Sequence, residues 1–91
     1  MDDTRRTQAE RAAETREALI AVSRPLFAAR GFADVALETI VRAAGVTPGA
    51  LYHHFADKTE LFAAVFERVE GEVATQMGEA IAASNQARPA L

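Results

Sequence analysis

Cysteine is absent from this chain. That excludes a disulfide framework and thiolate metal sites, and it fits a reducing compartment. No apolar run approaches the roughly 20 residues needed to span a bilayer. The opening "MDDTRRTQAERAAETREA" is polar and lacks the apolar core of a secretory signal. A cytoplasmic protein without membrane contact is the expectation. Strand alternation, internal repeats and low-complexity segments are missing too. So are a phosphate-binding glycine loop and a compact cluster of acids. Catalysis therefore has no residues to rest on, and no cofactor is expected.

What remains is a chain of 91 residues, 49% of them hydrophobic and many of those alanine. That length supports one domain and a small core, not a large enclosed pocket. The composition favours helix. The formal net charge of −3 is unevenly spread. Residues 1–30 sum to +1 (six Arg, five acids), residues 31–58 to −1 (Arg42 and Lys58 against Asp34, Glu38 and Asp57), and residues 59–91 to −3 (two Arg, five Glu). The acid excess belongs to the C-terminal third, so net charge does not decide the partner.

Apolar spacing predicts four helices. Residues 1–8 have no apolar period and read as a flexible N-terminal arm. The first helix runs from about Gln8 to Arg30, with Leu19, Val22 and Leu26 as its stripe and Ile20 and Phe27 alongside. Gly31 stops it. Pro25 lies inside this pattern and removes a backbone bond to Ala21, so a kink near Ala21 to Arg24, or a restart, is expected. The second helix covers about Leu37 to Ala44, begins without a capping oxygen at Ala36, and ends at Gly45. Val46 then points inward. The third helix has Thr47 as N-cap and Pro48 in the first position, and runs to about Phe55. The fourth opens on "DKTE", with Asp57 as cap and Glu60 closing a capping box. Its stripe, Leu61, Phe62, Val65, Phe66, Val69, Val73, Met77, Ala80 and Ile81, outruns anything the first three helices can cover. Phe62, Phe66 and Val69 read as core. The tail "SNQARPAL" reads as a loop.

The third helix is the informative one. It is too short to be stable alone. Leu51 and Phe55 face inward, but successive residues turn by about 100°, so Gly49, Ala50, Tyr52, His53 and His54 cannot all follow them. Two short helices joined by a tight glycine turn make a helix-turn-helix, which sets its second helix in the major groove of double-stranded DNA. Gly49 and Ala50 are small enough for close backbone approach, and alanine packs on a thymine methyl group. Amides near Thr47 and Asp57 suit phosphate oxygens. Tyr52 and His54 can donate to phosphates. A cation at Lys58 opposes the dipole at the start of a helix but is placed to meet a phosphate.

The segment "LFAARGFADVALETIVRAAGVTPGALYHHFADKTELFAAVFE" (26–67) resembles the DNA-binding domain of the tetracycline-repressor (TetR) family. The matching marks are "LF..RGF", "I..AAGV" and "GALYHHF..K.EL", within roughly residues 14–73. The resemblance implies an all-α fold: a three-helix bundle with a homeodomain-like helix-turn-helix at 36–55, and a fourth helix leading into a further C-terminal helical domain. The DNA-binding domain is then 9–73, and 74–91 the end of the linking helix and the start of the next domain. It implies a homodimeric transcriptional regulator, usually a repressor on a palindromic operator, released by a small-molecule inducer. It puts Thr47, Pro48, Gly49 and Ala50 near bases or backbone, and Tyr52, His53, His54 and Lys58 at DNA, mostly on phosphates. Family members often carry Thr or Ser at positions 35 and 36 and polar or basic residues at 37 and 38, where this chain has "VALE". Members usually run about twice this length, so a longer parent chain is expected.

Other readings stand beside these. His53 and His54 diverge by about 100°, unlike helical metal pairs at spacings of three or four, and no third ligand offers itself. Tyr52 reads equally well as a core ring with its hydroxyl at the rim. Lys58 can be an ordinary solvated charge. Arg5, Arg6 and Arg11 read as a soluble tail ahead of a minor-groove clamp. The alternative for the whole chain is a helical protein-interaction module without DNA binding.

Overall fold

The computed structural model describes residues 7–87. Four helices occur in order: α1 (Gln8–Arg30), α2 (Leu37–Ala44), α3 (Pro48–His54) and α4 (Lys58–Ala87). Among the described residues there is no strand. The all-α expectation and its helix-turn-helix hold. Arg5 and Arg6 fall outside the described residues, while Arg11 lies exposed on the first turns of α1.

The start of α1 is better fixed than its polar sequence indicates. Thr7 Oγ1 accepts from the Glu10 amide at 3.0 Å, and Glu10 Oε1 accepts from the Thr7 amide at 2.9 Å. These two bonds form a reciprocal capping box, so α1 has a defined start at Thr7. The helix then continues through Pro25 without a restart. Pro25 and Ala21 are both exposed, so the Ala21 carbonyl left without an amide partner is open to water. On the opposite side of the same turn the buried Ser23 hydroxyl donates to the Leu19 carbonyl at 2.6 Å, which satisfies the only buried polar side chain of the core.

The core is a single cluster: Leu19, Ile20 and Phe27 from α1, Val35 from the loop after it, Ile40 from α2, Leu51 and Phe55 from α3 and its cap, and Leu61 and Val65 from α4. Val46, between α2 and α3, packs against it as anticipated. α2 begins at Ala36 without a side-chain cap. Its end is firmer: the Gly45 amide donates to Arg42 O and the Val46 amide to Val41 O, both at 3.2 Å, and Gly45 adopts φ 70°. This is the Schellman arrangement, and its left-handed residue makes glycine the natural occupant.

α4 differs from the sequence reading at two points. It extends helically through Ser84, Asn85, Gln86 and Ala87, where a loop was expected. The apolar stripe is also less buried than its pattern indicates. Leu61 and Val65 are core and Val69 is half-buried, but Phe62 and Phe66 are exposed at 36% and 54%, and Val73, Met77 and Ile81 are exposed as well. Only the first turns of α4 lie against α1. Two ion pairs hold that contact, Arg68 with Glu17 and Arg24 with Glu72, both with N–O separations of 2.7 Å.

Candidate nucleic-acid interface

α3 presents an outer face because the residues it sends into the core are Leu51 and its cap Phe55. Leu51 is fully buried and Phe55, its C-cap, is 2% exposed. Thr47 Oγ1 accepts from the Ala50 amide at 3.1 Å, and Pro48 occupies the first turn. The cap holds a seven-residue helix that its own hydrogen bonds would not. Pro48, Gly49, Tyr52 and His53 are exposed. Ala50 and His54 are half-buried, so these two flank the outer face instead of crowning it. Tyr52, for which a core position was equally open, is 55% exposed. An added side chain at Gly49 would meet only Thr47 Oγ1, at 3.9 Å, so the surface there is open.

His54 is half-buried at the end of α3, on a shallow surface it shares with Arg16 of α1 and with Glu60, Ala63, Ala64 and Glu67 of α4. Its ring lies 5.0 Å from that of His53, edge to face, and Arg16 of α1 sits over the Phe55 ring at 5.2 Å. Burial, then the neighbouring His53, then Arg16 push the His54 imidazole below its usual range. It is therefore neutral near pH 7. Among the described residues no group of three metal-ligating side chains comes together.

Lys58 does not stand where its sequence position implied. Its ammonium is turned back onto the α1–α2 loop. It donates to Phe32 O at 2.8 Å and Val35 O at 3.0 Å, with Ala33 O at 3.5 Å. It also lies 4.5 Å from the centre of the Phe32 ring. Three carbonyls match the three donors of an ammonium group. Without DNA, the lysine read from sequence as solvated or phosphate-facing is therefore bound to the loop. The capping box beside it also shifts by one residue. The Glu60 amide donates to Asp57 Oδ1, but Glu60 Oε1 accepts from the Ala56 amide, both at 2.9 Å.

One contributor to this face was missed from the sequence. A groove of about 360 Å³ runs between α2 and α3, lined by Leu37, Glu38, Val41, Arg42, Pro48, Leu51 and Tyr52. Arg42 is exposed on its rim. With the Lys58 ammonium turned inward, Arg42 is the one cation of the unit 36–58 that remains outward. The i, i+4 placement of Glu38 and Arg42 on the polar side of α2 was the available signal. Together the half-buried α2, the Schellman turn and the outward face of α3 define a helix-turn-helix.

Comparison with known proteins agrees. The family model described as "Bacterial regulatory proteins, tetR family" matches residues 19–65. The chain is 42% identical over 69 residues to the HTH-type transcriptional regulator AcrR of Shigella flexneri, covering 76% of this chain and 32% of that protein. It is 46% identical over 67 residues to the HTH-type transcriptional regulator CymR of Pseudomonas putida, covering 74% and 33%. A crystal structure of a TetR-family transcriptional regulator from Pectobacterium atrosepticum superposes with a TM-score of 0.65 at 45% identity, over 78% of this chain and 36% of that one. The chain belongs to the tetR family of bacterial regulatory proteins. It spans about a third of the length of these curated relatives.

Proposed function

We propose that this chain is the DNA-binding part of a dimeric transcriptional regulator, most simply a repressor. The observation that carries the reading is the exposure of Pro48, Gly49, Tyr52 and His53 on a short helix whose core residues are Leu51 and its cap Phe55. A helix so held serves its outer surface, not the core. α3 enters the major groove with Thr47, Pro48, Gly49 and Ala50 leading, where the small side chains allow close approach to base edges. Tyr52, His53, His54 and Arg42 meet the flanking phosphates. The relative BepR of Brucella suis, 47% identical over 64 residues, is named a transcriptional repressor, which supports the same sign of regulation here.

The homodimer forms through a further region of the full-length protein. It sets two α3 helices about 34–36 Å apart, so that both reach successive major grooves on one face of a palindromic operator. A small-molecule inducer acts by changing that separation. The setting is the cytoplasm, where the DNA is; no helix among the described residues is long and apolar enough to cross a membrane.

Selection from a random double-stranded pool with the full-length protein tests this. Enrichment of a palindrome with half-sites one helical turn apart is expected. A folded dimer that enriches no sequence would overturn the reading and leave the outward face of α3 as a protein-binding surface.

A further inference from the structure

Glu38 is the one acid lining the groove that α2 and α3 share. It lies exposed in the first turn of α2, and Pro48 and Tyr52 of α3 line the same groove. Among the described residues its carboxylate enters no hydrogen bond or ion pair, not even with Arg42 one turn further along the helix. An acid in the first turn favours the helix dipole, and α2 has no side-chain cap at Ala36. Any acid around that turn would serve, whichever way it faced, so the dipole does not account for a carboxylate on the groove.

Pro48 and Tyr52 belong to the face that the DNA-binding reading sets against the major groove and its phosphates. A carboxylate beside them meets two kinds of group. Phosphate oxygens repel it on every sequence alike. Base edges in the major groove offer it a donor at two places, the N4 amino group of cytosine and the N6 amino group of adenine. Adenine sets an N7 acceptor next to its donor, and guanine presents acceptors alone, so both oppose an anion in a way that cytosine does not. An ionised carboxylate only accepts, and cytosine is the base edge that suits it.

We propose that Glu38 is a specificity-determining residue of the DNA-binding surface: its carboxylate accepts from a cytosine amino group in each half-site, while α3 reads the neighbouring bases. The proposal rests on the DNA-binding reading above and deepens it. It makes the acid a filter. With cytosine at that position the charge is satisfied. On other sequences it stays beside acceptors and phosphates, and so lowers the affinity for competing DNA.

The test is selection from a random double-stranded pool with full-length wild type, Glu38→Gln and Glu38→Ala. Affinities then follow for the operator with that base pair exchanged and for random DNA. Wild type is expected to select cytosine at one symmetric position of the palindrome, and to lose about tenfold per exchanged half-site. Glu38→Gln should select adenine there, since a glutamine amide pairs with both N6 and N7. Glu38→Ala should accept any base there and bind random DNA more tightly than wild type. All other positions should be the same in the three proteins. An identical motif from all three would overturn the proposal and leave Glu38 as a helix-dipole acid. So would a loss spread evenly over every position, which marks a structural fault, or a change at a position where wild type selects a base other than cytosine. Glutamine matches the size of the residue it replaces, and decides if the alanine variant does not fold. A folded wild-type dimer that enriches no sequence refutes the functional reading, and the proposal with it. A wild-type motif that both variants share refutes the proposal alone.

Discussion

Arg68 and Glu17 lie 51 positions apart in the chain and meet through two bonds of 2.8 and 2.7 Å. The bidentate geometry locks the direction of α4 against α1 just beyond the last core residue, Val65. Both side chains are substantially exposed, so the pair contributes direction more than stability. The Arg68 hydrogen bonds, with the charges of Arg68 and Arg16, hold the Glu17 carboxyl below its usual 4.5. A depressed carboxyl stabilises the fold above its unfolded value and loses that contribution as pH falls through the folded one. Arg68→Met is expected to lower the thermal midpoint slightly at pH 7. The difference should vanish below the ordinary glutamate range and shrink in 1 M salt, as melting curves would show.

Gly45 carries the sharpest backbone demand of the helix-turn-helix. Its φ of 70° is left-handed, although no atom lies within 4 Å of where a Cβ would sit. Gly45→Ala therefore meets strain and no clash, and should cost about 1–2 kcal/mol in denaturant titration. Gly45→Asn should cost less, because asparagine tolerates that region better. Equal loss in both variants would mean that space, not conformation, governs the position.

Thr47→Ala deletes the oxygen that accepts from the Ala50 amide. Cap losses of this kind cost about 1 kcal/mol. On a seven-residue helix the consequence should concentrate locally. Amide exchange within 48–54 is expected to rise more than the global unfolding free energy falls, and operator affinity should drop while α1 and α4 remain protected.

Gly49→Asp probes the outer face directly. An added Cβ there meets only an ordinary contact, so circular dichroism should show a folded protein. A carboxylate facing DNA should abolish binding to every sequence. Arg42→Ala should weaken all DNA alike and reduce the salt slope by about 0.9. Retention of binding in both variants would place the DNA contact elsewhere.

His54 sets a pH dependence with a definite sign. Burial, His53 and Arg16 hold its imidazole below the usual 6.5. Its neutral form is favoured in the fold, so its contribution to stability is present above 6.5 and lost as pH falls through the depressed value. Glu60 and Glu67 line the same shallow surface. A phosphate beside the ring would favour the charged form, so DNA binding should take up a proton. Operator affinity is expected to rise as the medium is acidified below 6.5, and His54→Gln should flatten that rise. An affinity that stays flat down to about pH 5.5 in the wild type would separate His54 from the phosphates.

Local chemistry made much of this legible in advance. Gly45, the pair Thr47–Pro48 and the run "DKTE" each carry their own stop or start, and α2, α3 and the start of α4 fall where those residues put them. The Thr7–Glu10 box obeys the same grammar, T-x-x-E, but lies in a stretch whose lack of apolar period hid it. Pro25 does not restart α1, and its exposure, shared with Ala21 one turn back, leaves the carbonyl it cannot serve at the surface. Phe62 and Phe66 have helical spacing, but spacing places residues on a face without saying how far the opposing surface extends. Lys58 was beyond local inference altogether. Its partners are backbone carbonyls of a loop without a motif, and only the folded chain brings them to a flexible side chain.

The economy with which α3 is anchored has an evolutionary meaning. Leu51 and Phe55 keep the helix on the domain, while Pro48, Gly49, Tyr52 and His53 contribute little to holding the chain together. Mutations at those four positions are nearly free of folding penalty. A lineage can therefore drift through many alternative outer faces without passing through misfolded intermediates. Duplicated copies of such a gene can part ways in the sites they read while remaining the same object in every other respect.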